Sequence, residues 1–173
     1  MAVTAKSLDV VVLLKLLLER EKRPYAVIAK ELGISASEVH AAVQRCILAG
    51  LLDSQSRFPL RKPLEDYLLH GVRYAFPAPP GPVARGILTA YAAPPLSAQI
   101  SSDELPPVWP DPNGTVRGYA VEPLYSSVPT AAKSDPKLYE LLALVDAMRI
   151  GRARERNLAG EALKERINHA HAT

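Results

Sequence analysis

Residues 28–52 read IAKELGISASEVHAAVQRCILAGLL. Ser35 and Glu38 stand at the S-x-x-E spacing of a capping box, so a helix starts just after Ser35. Within it Val39, Val43, Cys46 and Ile47 recur every three or four residues, which predicts one buried face. Gly33 sits where a left-handed residue ends a short preceding helix over residues 25–32, and Gly50 does the same after the second helix. Ala29 lets the two helices approach closely. The stretch is therefore a helix, a tight turn and a second helix with an apolar back. The opposite face offers Ser37, His40, Ala41, Gln44 and Arg45.

Working outward, residues 8–21 (LDVVVLLKLLLERE) form a first helix, with Val11, Leu14, Leu17 and Leu18 at helical spacing and Ser7 or Asp9 as its cap. Pro24 suits the first turn of the next helix, where a missing N–H loses nothing. After Gly50, Leu51-Leu52 reads as a wing strand and Asp53–Phe58 as a short polar hairpin tip. Pro63 opens a helix over roughly Leu64–His70, and Val72–Phe76 reads as a strand.

The middle of the chain changes character. Of the 16 prolines, 13 lie between Pro77 and Pro136, which rules out long helices there. Tyr91, Trp109, Tyr119 and Tyr125 exclude a disordered tract. Asn113-Gly114 marks a turn beside one or two strands within Val116–Tyr125. Asp135-Pro136 then opens a helix with Leu138, Leu141, Leu142, Val145 and Met148 in one stripe. Gly151 interrupts it before a charged helix over Arg152–Ile167.

The expected architecture is mainly α with a small β wing. Residues 1–76 form an N-terminal winged helix-turn-helix. Residues 77–134 are a proline-rich extended segment covering another surface, with few short strands. Residues 135–173 are C-terminal helices whose Leu138–Met148 stripe does not stay exposed: it packs on the winged domain or pairs with a second copy, and dimerisation is the outcome that fits a DNA reader.

Ala29, Leu32, Gly33, Ile34, Ser35, Val39, Val43, Gly50, Leu51 and Leu52 together resemble the helix-turn-helix of the MarR and Lrp/AsnC winged-helix regulators. The resemblance spans about 50 residues. It implies a DNA-binding bacterial transcriptional regulator, and it places Arg45 where many MarR-type proteins carry an arginine. This chain departs from the pattern at Ala41 and Ala42, where arginine often reaches phosphate.

The function expected is a cytoplasmic, homodimeric regulator that reads double-stranded DNA with the helix over residues 35–49. Gln44 and His40 are the candidates for base edges, Gln44 because its amide can pair bidentately with adenine. Arg45 joins them. Ser37 at the helix N-terminus, with Lys30, Arg57, Arg61 and Lys62, is a candidate for phosphate, and Ser35 completes the expected DNA-binding set. A net charge of +3 fits a polyanion partner without requiring one. The basic run Arg149, Arg152, Arg154 and Arg156 reads as a solvated helix face. The alternative is a protein-interaction module or antitoxin whose residues 77–134 wrap a partner protein.

Other classes lose support. The chain has no G-x-S-x-G, P-loop or G-x-G-x-x-G, and GPVARG at Gly81–Gly86 lacks the lysine and hydroxyl of a phosphate loop, so no enzyme is expected. No cofactor or metal is expected, since the only close histidine pair is His169-x-His171. Cys46 is the single cysteine; it lies on an inward face and fits an inert thiol in a reducing compartment. The start, Met1–Lys6, has no signal-type pattern. The apolar run Val10–Leu18 is too short and too interrupted by Lys15 to span a bilayer.

Overall fold

The structure is a computed structural model that describes residues 3–170; Met1, Ala2 and the segment from His171 onward lie outside the described residues. The chain is mainly helical with one small sheet. Among the described residues eight α-helices run in order: α1 (Ser7–Leu18), α2 (Tyr25–Leu32), α3 (Ala36–Leu48), α4 (Arg61–His70), α5 (Val72–Ala75), α6 (Val128–Ser134), α7 (Pro136–Ile150) and α8 (Ala153–His169). Between α5 and α6 lie the strands β1 (Val83–Leu88), β2 (Pro107–Pro110) and β3 (Val116–Ala120).

Two helices form the centre. In α1 every residue from Leu8 to Leu17 is buried, and in α7 every residue from Leu141 to Arg149 is buried. A helix apolar on all sides has no solvent face to present and packs inside. The two lie against each other, with α3 on α1 and α8 on α7. The buried residues join into one core running from Leu8 to Ile167.

This overturns the expected dimer surface. Leu138, Leu141, Leu142, Val145 and Met148 are each at most 5% exposed within a single chain, because α7 is covered by α1, α5 and α8. Arg149, expected on a solvated face, is buried as well.

The proline-rich middle folds into structure of its own instead of a draped extended layer. β1 pairs antiparallel with both β2 and β3, and β2 pairs parallel with β3, which closes a three-stranded barrel. Partners include Ile87 with Trp109 and Arg85 with Arg117. So few strands leave no room inside for side chains where backbones cross, and glycine occupies Gly86 and Gly118. Val72–Phe76, expected as a strand, is helical over Val72–Ala75, because Gly71 keeps a right-handed helical conformation and Val72 is buried, with α5 against α7.

Buried charge ties these layers together. Lys15, 6% exposed on α1, contacts Glu31 at 2.8 Å and Asp135 at 2.9 Å, joining α1 to α2 and to the cap of α7. Arg23 also clasps Glu31, at 2.6 Å. The hydrogen bonds from Arg23 and then Lys15 hold the Glu31 carboxyl down at about 2, from an ordinary 4.5. A carboxyl lowered on folding adds stability that is complete above its unfolded value and lost as pH falls through the folded one. The Glu31 contribution therefore disappears between pH 4.5 and about 2. Because Glu31 is partly exposed, it amounts to under about 1 kcal/mol. Urea melts of Glu31→Gln and the parent chain are expected to differ at pH 7 and to converge as the pH approaches 2.

Candidate nucleic-acid interface

The segment from α2 to the hairpin after α3 folds as its local chemistry dictates. Gly33 has φ +70°, and the N–H groups of Gly33 and Ile34 donate to the carbonyls of Lys30 and Ala29, a Schellman end. Gly50, at φ +74°, ends α3 the same way, with Gly50 and Leu51 donating to Ile47 and Cys46. The Ser35 hydroxyl accepts from the Glu38 N–H at 3.2 Å, and the Glu38 carboxylate accepts from the Ser35 N–H at 2.8 Å. Val39, Ala42, Val43 and Cys46 face inward, and burial pushes the Cys46 thiol up to about 12.

Residues 51–60 form a short hairpin. It has one bridge, Leu52 with Pro59, and an Asp53 N–H to Phe58 carbonyl bond of 3.0 Å. The Asp53 carboxylate accepts the N–H groups of Gln55 and Ser56, which shapes the tip. Lys22, in the α1–α2 connection, donates to the Gln55 carbonyl at 3.1 Å.

The tip meets the outward side of the two helices. Arg57, at φ +61°, lays its guanidinium 4.3 Å from the centroid of the Tyr25 ring, and that ring lies 5.7 Å from the His40 ring. Residues from the hairpin, α2 and α3 thus form one contiguous column, with the Tyr25 and His40 rings tilted 56° to each other. Gln44, one turn beyond His40, is exposed, as are Ser37, Lys30 and Arg61.

The remaining candidates are placed differently. Arg45 does not project outward: its Nε and Nη2 reach both oxygens of Asp9 at 2.7–3.0 Å, and its side chain is 16% exposed. Asp9 is 3% exposed on α1, and a carboxylate that deep requires a counter-charge. Arg45 is therefore a strut between α1 and α3. Asp9 also accepts the Lys6 N–H at 2.9 Å, reaching back from the third position of α1 to its N-cap residue, which is Lys6 and neither Ser7 nor Asp9. Ser35 spends its hydroxyl inside its own capping box. Lys62 is exposed but paired with Asp66 at 3.0 Å.

Two participants escape a reading of the sequence. Tyr125 donates its hydroxyl to Glu38 at 2.6 Å, and this bond leads the contacts that hold the Glu38 carboxyl below its usual range. The start of α3 therefore already carries an anion, and the Ser37 hydroxyl lies 3.0 Å from that of Ser35, which itself donates to Glu38, so both serines are engaged there. Tyr25 is the other; its position at the start of α2 gave no sign that it would bridge Arg57 and His40.

No protein-family model, curated protein or solved structure matches this chain.

Proposed function

We propose that residues 25–60 form a winged helix-turn-helix and that the chain binds double-stranded DNA as a transcriptional regulator. Helix α3 enters the major groove with Ser37, His40 and Gln44, and Arg57, Lys30 and Arg61 meet phosphates. The observation that carries this reading is the Arg57–Tyr25–His40 column, which sets a cation of the hairpin tip beside the exposed face of α3. A groove-reading helix needs such a flanking phosphate contact to fix its register. Two-fold dimerisation on a surface other than the α7 stripe, and a cytoplasmic setting, go with this reading; among the described residues no helix is long and apolar enough to cross a membrane. Partner capture by residues 77–134 has less support, since their largest apolar side chain, Trp109, is turned into the core.

Fluorescence anisotropy of a labelled duplex tests the proposal. Each phosphate contact contributes about −0.9 to the slope of log affinity against log salt. Arg57→Ala is expected to reduce the slope by about 1, while Arg154→Ala leaves it unchanged. Failure to bind duplex at low salt, where phosphate attraction is strongest, would sink it.

A further inference from the structure

A groove of about 670 Å³ opens between the α4–α5 corner and α8, away from the α3 face. Arg73, Arg156 and Lys164 line it, with Glu161 as its one carboxylate and His70 beside them. Among the described residues none of the three cations is in an ion pair. Arg156 is steadied by donating from Nη1 to the Gly151 carbonyl at 2.7 Å, which leaves its other N–H groups to point elsewhere. Three unpaired cations around one concavity favour an anionic occupant.

The same groove carries an aromatic surface. Tyr74 is 75% exposed, the most exposed large side chain among the described hydrophobic residues, and the Arg73 guanidinium lies 5.3 Å from its ring centroid. An exposed ring beside cations is how proteins hold a nucleobase next to its phosphate.

The floor adds an independent observation. Gly160 lies in the interior of α8, where glycine is a poor helix former. Packing within the chain does not require it: an added Cβ would meet only Leu69, at 3.7 Å, an ordinary contact. Gly160 and Leu69 both line the groove, so the absent side chain leaves that part of its wall low.

We propose that this groove binds a nucleotide unit, its phosphate among Arg73, Arg156 and Lys164 and its base on Tyr74. The unit is either a free nucleotide or part of a single strand; the chemistry is shared, and the site is independent of duplex reading by α3. Titration calorimetry of the full chain with adenosine monophosphate, adenosine and inorganic phosphate, plus anisotropy with labelled oligothymidylate, separates these sources. At least one of the monophosphate and the oligothymidylate is expected to bind saturably, and adenosine about tenfold more weakly than the monophosphate. Arg73→Ala with Lys164→Ala is expected to weaken the bound probe about tenfold, and Tyr74→Ala about fivefold, while phosphate alone is indifferent to Tyr74→Ala. Gly160→Ala is expected to raise the Tm and weaken binding together, so its loss of binding does not come from misfolding. If neither probe binds at millimolar concentration, or if binding is indifferent to the Arg73 and Lys164 changes, the proposal is overturned.

Discussion

Asp146→Ala is expected to remove about 3–5 kcal/mol of folding stability, the usual cost of stranding one member of a buried ion pair. Asp146 is 1% exposed in the middle of α7. Its Oδ2 accepts from the Thr89 hydroxyl and from Trp109 Nε1, each at 2.7 Å, and its Oδ1 accepts from Arg149 at 2.7 Å. Arg149 in turn donates to the carbonyls of Phe76 and Glu122. Burial pushes the Asp146 carboxyl above the usual carboxylate range, opposed by Arg149, Thr89 and Trp109. The Asp146–Arg149 pair thus fastens the barrel, the end of α5 and α7 together. Alanine leaves a buried guanidinium, an indole N–H and a hydroxyl without their acceptor. Against a typical domain stability of about 5–15 kcal/mol, that loss is large. Urea unfolding followed by the fluorescence of Trp109, the chain's single tryptophan, measures it. A loss under about 1 kcal/mol would mean the network does not hold these layers.

Gly86→Ala is expected to cost at least about 3 kcal/mol, the upper end of ordinary overpacking. A Cβ at Gly86 would lie 1.9 Å from the Trp109 carbonyl oxygen and 2.6 Å from its carbon. Both are backbone atoms of the paired strand, so no rotamer change relieves the clash; β1 and β2 must separate. Gly50→Ala is the comparison. It faces open space, so it meets only the strain of its positive φ, about 1–2 kcal/mol. Thermal melts of both variants are expected to rank Gly86→Ala as the more severe. Equal effects would contradict the closed barrel.

The helix-turn-helix segment was legible because its signals are local. The capping box at Ser35 and Glu38, the left-handed glycines Gly33 and Gly50 and the Val39–Cys46 stripe each act within a few residues of chain. The placement of α7 was not legible, because a stripe of Leu138–Met148 looks the same whether it meets a second copy or α1. The apolar surround of α1 did hold a clue: a run so uniformly buried needs cover on every side. The barrel was hidden for a related reason. Its strands are four to six residues long, and their pairing joins Val83 to Tyr119 across a stretch that contains β2 itself, so no periodicity develops.

In the candidate site, Arg57 is half-buried against Tyr25, while Ser37, His40 and Gln44 keep the exposure expected of them. Arg45 does not, and Asp9 was its signal: an acidic residue inside a run of valines and leucines implies a cation from another element. Tyr25 and Tyr125 carried no such mark, since an aromatic near a helix start fits a core position equally well.

The most direct test of duplex reading by α3 is selection from a randomised double-stranded DNA pool with the parent chain and with Gln44→Ala. The parent is expected to enrich a short motif, and Gln44→Ala to relax it at one base pair, losing about 1–3 kcal/mol of discrimination there and leaving the rest intact. A parent chain that enriches no motif, or a Gln44→Ala motif identical to the parent's, would contradict duplex reading by α3.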